Sequence, residues 1–344
     1  MKHLCLLTLG LLFAAGVLHA QVAVPSMVPA RPEVLDPGML PLDASFTPEN
    51  PAAMQWGTPS QVAYGVMEAE VRHKDFPNDD PDDFRGTYGG FRWVGQRFSL
   101  AAEDITLKDR EPYFDIKQNT NSVALAFRYD DGLAFGLETG RSEDRHFFPG
   151  APIPPPDPSA GKTEVDRTTI GVSFRFWERL FLGIAQTRES WMIAITEPPP
   201  AFRIEQSRVV EKYGLGLRAG TTYRIHAEYD VISKEPFEGP GEKHQEEERE
   251  VAVLELKVWN FLVAGRATTI RHLRERTPNT EIKAKYDVMA MDYGWAPDDG
   301  LAIMVHLSKS KIREHDFDEF RSPDQFISRD LETRSAAASV TWLF

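Results

Sequence analysis

From residue 60 onward the chain alternates apolar and polar residues in short runs, most clearly near its middle. Val123, Leu125, Phe127 and Tyr129 share one parity, and Ser122, Ala124, Ala126 and Arg128 share the other. Leu133, Phe135 and Leu137 oppose Ala134, Gly136 and Glu138, and Ile170, Val172, Phe174 and Phe176 oppose Gly171, Ser173 and Arg175. Farther on, Tyr223, Ile225, Ala227, Tyr229 and Val231 oppose Arg224, His226, Glu228 and Asp230. A period of two is the period of a β-strand, so each run predicts a strand with one apolar face and one small or charged face. Fourteen segments follow: 61–72, 85–94, 97–108, 120–130, 132–142, 166–177, 179–191, 209–219, 221–233, 250–258, 260–272, 281–294, 300–312 and 331–344. Most exceed the roughly 9–11 tilted residues that a membrane-crossing strand needs.

Alternation alone does not say which face meets water. In a soluble sandwich the apolar face is the core, whereas in a barrel set in lipid it points outward and the polar face lines the lumen. The connections separate the two. Six are tight and centre on Gly95–Gln96, Asp130-Asp131-Gly132, Trp177-Glu178-Arg179, Ala219-Gly220-Thr221, Trp259–Asn260 and Pro297-Asp298-Asp299-Gly300, several with the Gly and Asp chemistry of hairpins. The other seven are longer and polar, the extremes being 143–165 and 313–330. Short and long connections alternate throughout, the pattern of outer-membrane barrels with short periplasmic turns and long external loops. The prediction is therefore an all-β fold: a transmembrane antiparallel β-barrel of about 14 strands, with both chain ends on the periplasmic side. The closing stretch SAAASVTWLF supports closure, with Ala336, Ala338, Val340, Trp342 and Phe344 on one face. A last strand needed to its final aromatic residue must pair with the first, and Phe344 is the expected point of contact with the barrel-assembly machinery. Trp93, Trp177, Trp191, Trp259, Trp295 and Trp342 are expected in interfacial girdles.

The N-terminus changes the picture of location. A basic start at Lys2, an apolar run from Leu4 to Leu18 and a small residue at Ala20 read as a secretory signal peptide over residues 1–20. Its removal takes away Cys5, the sole cysteine, so disulfide and thiol chemistry are excluded from the mature chain. Beyond it no apolar run reaches the roughly 20 residues of a membrane helix, which leaves the barrel reading untouched. The net charge of −13 argues against nucleic acid as a partner. The expected partner is outer-membrane lipid.

Residues 21–60, before the barrel at 61–344, are rich in Pro and small residues and lack a helical period. They read as a periplasmic leader or as a plug folded into the lumen. Within them, Asn50-Pro51-Ala52, flanked by Asp43-Ala44-Ser45 and Ala53-Met54 and soon followed by the first strand, resembles the FadL family of outer-membrane transporters for hydrophobic compounds. That resemblance implies an N-terminal hatch carrying an Asn-Pro-Ala motif, a fourteen-stranded barrel and passive uptake of an apolar small-molecule ligand. Pro51 removes a backbone donor and holds Asn50 extended, leaving the Asn50 amide to fix a turn against the wall. The chain departs from the family in its short, acidic or Pro-rich loops, as at Asp79 to Asp83 and Pro198 to Pro200. The kink in the third strand on which the family's lateral exit depends has no Gly or Pro to mark it between Phe98 and Lys108.

Candidate chemistry adds little. Ser159-Ala160-Gly161-Lys162-Thr163 ends like a phosphate-binding loop, but Pro156 stands where the first glycine belongs. Gly214-x-Gly216 with Gly220 is not a dinucleotide fingerprint. Neither HExxH nor CxxC spacing occurs, so no metal or other cofactor is expected. Asp79-Asp80 with Asp82-Asp83, and Asp316 with Asp318-Glu319, read as solvated loops before cation sites. His226 and His306, each on the inward parity, read as polar lining before catalytic bases, and the chain is not expected to be an enzyme. The predicted lumen lining is Glu138, Arg175, Arg218, Arg224, His226, Glu228, Asp230, Glu255, Lys257, Arg266 and His306. In the transporter reading these charges pair with one another and with the plug. In a general or charged-solute porin they line water, and in a structural or adhesive barrel the loops carry the function.

Overall fold

The computed structural model describes residues 50–56, 60–73, 82–109, 115–148, 159–177, 179–197, 202–220, 223–235, 245–277, 280–318 and 327–344. The expected signal peptide and the segment to residue 49 lie outside them. Fourteen strands form one closed antiparallel barrel in which every strand neighbours those before and after it in sequence. They are β1 (Gln61–His73), β2 (Asp82–Val94), β3 (Phe98–Asp109), β4 (Asp115–Arg128), β5 (Leu133–Phe148), β6 (Ser159–Phe176), β7 (Leu180–Glu197), β8 (Phe202–Ala219), β9 (Tyr223–Lys234), β10 (Gln245–Val258), β11 (Phe261–Thr277), β12 (Thr280–Trp295), β13 (Gly300–Asp318) and β14 (Ile327–Leu343). β14 closes on β1 from Gln61↔Leu343 to His73↔Leu331 without a register shift, and the Phe344 N–H donates to Ser60 O at 3.1 Å.

The apolar face points outward. Ile170 and Tyr223 are each 62% exposed and Met289 is 71% exposed, whereas their inward neighbours Thr169 and Ala290 are buried. An exterior of exposed Leu, Val, Ile and Phe around a polar interior inverts a water-soluble protein and suits a hydrocarbon solvent. Trp93, Trp177, Trp259, Trp295, Trp342 and Phe344 are exposed near the short-turn end. Trp191 departs from the expected girdle. It falls on the inward parity of β7, with Nε1 donating to Glu189 Oε2 at 3.2 Å and the Arg208 guanidinium 5.4 Å from its ring centroid.

The short turns follow local chemistry. The Gly95 N–H donates to Phe98 O, and the Gly132 N–H to Asp130 Oδ1. Gly220 and Gly300 take positive φ, as do Trp177 (48°) and Trp259 (55°) at hairpin tips. At the opposite end the strands run farther than alternation predicts. β5 continues to Phe148 and β6 begins at Ser159, inside the expected loop 143–165, while β13 and β14 take up much of 313–330. Beyond the apolar belt the outward residues become charged too, so the period of two vanishes from the sequence while the ladders continue. Cross-strand pairs hold these ends, among them Arg141–Glu164 at 2.8 Å, Lys162–Glu143 at 3.2 Å and Lys309–Glu332 at 2.7 Å. The β3 ladders with β2 and β4 show no register shift, in keeping with the missing kink signal.

Candidate functional site

Inside the barrel, near the short-turn end, a 3-10 turn at Pro51–Trp56 packs on β3, β4, β5 and β6, with every side chain buried. Asn50 starts it. Its Oδ1 accepts from the Ala52 N–H at 3.1 Å and its carbonyl accepts from the Ala53 N–H at 2.9 Å, an Asx turn that Pro51 is pre-set to enter. Its Nδ2 donates to Val172 O on β6 at 3.0 Å.

The wall beneath is carved from glycine. A Cβ on Gly136 would overlap Ala52 N and Pro51 C and lie 2.8 Å from Ala52 Cα. One on Gly171 would overlap Asn50 Oδ1, and one on Gly183 would lie 2.8 Å from Asn50 Nδ2. Gly136 and Gly171 are register partners, and Gly183 pairs with Ser173 one step along. Three adjacent strands thus present bare backbone where Asn50-Pro51-Ala52 docks, a close approach that any side chain forbids.

The rest of the turn is anchored on both flanks. Met54 fills a shallow surface of Ala101, Ala124 and Ala126. Gln55 Nε2 donates to Ser99 Oγ at 2.8 Å. Trp56 packs with Ala134 and Phe181, and its Nε1 donates to Ser173 Oγ at 3.2 Å. Arg175 lies 4.5 Å above the indole, and Arg218 Nη1 donates to Trp56 O at 3.1 Å. Burying Met54 and Trp56 is worth about 1.5–3 kcal/mol each by area.

Around the remainder of the inner wall charged residues pair across strands and, in one case, along one strand. Glu138 meets Arg167 at 3.1 Å, His226 Nε2 lies 3.1 Å from Glu228 Oε2, and Asp230 is 3.6 Å from Arg249. Lys257 reaches Asp298 in the β12–β13 turn at 2.6 Å, and this ammonium holds the Asp298 carboxyl below the usual carboxylate range. Glu138, Arg218, His226, Glu228, Asp230, Glu255, Arg266 and His306 are buried; Arg175, Arg224 and Lys257 are partly buried nearer the short-turn rim. Arg249, only 1% exposed, and Asp292 belong to the same inner face.

No protein-family model matches the chain, and no curated protein matches it in sequence. Solved structures do. A Pseudomonas aeruginosa FadL homologue aligns at TM-score 0.54 with 11% identity, over 89% of this chain and 95% of that one. The CymD monoaromatic hydrocarbon channel aligns at 0.52 with 11% identity over 86% and 91%, and the Pseudomonas putida toluene transporter TodX at 0.51 with 7% identity over 86% and 92%. The fold is that of the FadL-type channels. A closed barrel with an apolar exterior and a polar interior is built to sit in a membrane. At these identities the likeness is one of fold, so the seat beneath Asn50-Pro51-Ala52 stands on its own geometry.

Other sequence candidates fall elsewhere on this barrel. Gly161-Lys162-Thr163 lies within β6, where Lys162 bridges Glu143 and Glu164 on the outer surface, so no phosphate loop forms. Asp82 and Asp83 open β2, Asp316 and Asp318 lie in β13, and Asp79, Asp80, Glu319 and Pro198 to Pro200 lie outside the described residues. Among the described residues no group of His, Cys, Asp and Glu is arranged to hold a metal ion. Gly136, Gly171 and Gly183 were legible only as small residues of the inward parity. Their adjacency follows from strand register, which the sequence does not print.

Proposed function

We propose that the chain is a bacterial outer-membrane channel for passive uptake of small hydrophobic molecules, with Asn50–Trp56 the anchored part of a lumenal plug. In this reading residues 1–20 direct export, the short turns and both chain ends face the periplasm, and the long connections face outward. The observation that carries it is the glycine-floored seat. A leader with no role in the lumen needs no wall carved to fit its backbone. Fold-level likeness to a toluene transporter and a monoaromatic hydrocarbon channel supports the substrate class.

The paired charges on β8 to β13 favour a second reading, a porin for charged solutes. Single-channel conductance in planar bilayers separates the two, comparing the mature protein with a version lacking residues 21–58. A plugged channel is nearly silent until the deletion opens it, and then passes a labelled monoaromatic compound into liposomes. A porin conducts alike in both forms.

A further inference from the structure

Three adjacent strands place Asp292 (β12), His306 (β13) and Ser339 (β14) in one hydrogen-bonded line on the inner wall. His306 Nδ1 lies 2.8 Å from Asp292 Oδ1, and His306 Nε2 lies 3.1 Å from Ser339 Oγ. All three are more than nine-tenths buried. An ionised carboxylate only accepts, so Nδ1 carries a proton, and in a neutral ring Nε2 is then the acceptor for the serine hydroxyl. This is the order of groups that activates a serine: carboxylate, imidazole, hydroxyl.

A second observation lies two residues along the same face of β14. The Thr341 hydroxyl is fully buried with no hydrogen-bond partner, an omission that buried polar groups rarely show. Residues i and i+2 of a strand stand roughly 6.5–7 Å apart. That spacing sets Thr341 Oγ1 on the same face as Ser339 Oγ, the direction in which the oxygen of an attacked carbonyl would point. Backbone N–H groups on a barrel wall are taken by the ladders, so a donor to an oxyanion here must come from a side chain. Across the seam Ser339 pairs with Gly65, and the buried ring of Tyr88 takes the place a Gly65 side chain would fill.

We propose that Ser339 is an activated nucleophile that takes the acyl group of small uncharged carboxylic esters entering from the lumen. Ser339 Oγ forms a bond to the carbonyl carbon while His306 Nε2 takes its proton. The tetrahedral oxyanion is held by the Thr341 hydroxyl. As the carbon–alkoxy bond breaks, His306 gives the proton to the departing alcohol. Water then repeats the sequence, adding to the acyl carbon and giving its proton to His306. The carboxylic acid leaves and Ser339 regains its proton. Asp292 is a positioning residue, fixing the tautomer and carrying the transient imidazolium.

The test uses full-length purified protein, with folding of each variant followed by heat-shifted electrophoretic mobility. Diisopropyl fluorophosphate should form a phosphoryl adduct on the Ser339 peptide, and p-nitrophenyl acetate should be hydrolysed. Ser339→Ala should abolish both. His306→Gln should slow labelling at least about a hundredfold, and Thr341→Val, which keeps shape and removes the donor, should slow it about a hundredfold. Absence of labelling under conditions that label trypsin, labelling at another residue, or a rate unchanged in folded His306→Gln would each overturn the proposal.

Discussion

Asn50 and Gly171 meet where the N-terminal turn touches the barrel wall, and a single carbon added to the glycine would overlap the Asn50 Oδ1 atom. The contact couples the identity of a wall residue to the position of a segment more than 100 residues earlier in the chain. Gly171→Ala should therefore lift the turn from its seat and leave the barrel intact. Gly136→Ala should act more strongly, because backbone atoms of Pro51 and Ala52 stand in the way. We expect a cost of about 1–3 kcal/mol in docking the segment. Gly265→Ala, with nothing within 4 Å of the added carbon, is the matched control. The sole natural cysteine is Cys5, so a cysteine introduced at Ala53 is a clean reporter. Maleimide should modify it slowly in the parent and in Gly265→Ala, and faster with Gly171→Ala. Equal rates in all three would remove the role assigned to the glycines.

Trp56→Phe keeps an aromatic ring under Arg175 and removes the donor to Ser173. The loss should be about 1 kcal/mol. Trp56→Ala, which also empties the space beside Ala134 and Phe181, should cost about 3–5 kcal/mol. The same cysteine reporter measures both, and similar labelling rates for the two variants would mean that Trp56 does not hold the turn.

The exterior makes a depth-dependent prediction. Ile170 stands in the apolar belt, so Ile170→Arg should destabilise the barrel in lipid by about 2–4 kcal/mol. Asp166→Arg, two outward positions along β6 toward the charged rim, should change stability by less than about 1 kcal/mol. Denaturant titration in lipid vesicles measures both. Equal effects at the two positions would contradict a hydrocarbon environment around Ile170.

Asp298 gives a pH signature. Hydrogen bonding and attraction from Lys257 depress its folded-state pKa. Its contribution is therefore present above the ordinary aspartate pKa of about 3.9 and is lost as pH falls through the lower folded value. The carboxylate is 98% exposed, so solvent screening keeps that contribution under about 1 kcal/mol. Asp298→Asn should melt slightly below the parent at pH 7 and level with it well below pH 3. A difference that persists or grows in acid would reverse the assigned sign.

Most strand ends at the short-turn side were legible to within two residues, because there one face meets lipid and the other meets small or charged neighbours. β10 ends at Val258 and β13 begins at Gly300, as alternation and turn residues predict. At the other end Lys162, Glu164 and Arg203 are outward yet charged, so a period-two reading stops short of β6 and β8. The Asn50 turn was legible as a motif but its seat was not, since Gly136, Gly171 and Gly183 become one surface only through inter-strand register. Asp292 and Ser339 were missed for the same reason. His306 is ordinary until pairing brings residues from two other strands beside it.

The unbroken ladder between β1 and β14 carries a consequence for how the molecule comes into being. Gln61–His73 is among the first segments of the barrel to be made, yet one of its edges has no native partner until Leu331–Leu343 exists. For nearly the whole of synthesis and transit that edge offers a row of open amides and carbonyls, beside outward Val62, Tyr64 and Val66. The chain is thus most prone to pair with its own copies before completion, and closure ends that hazard in a single late event.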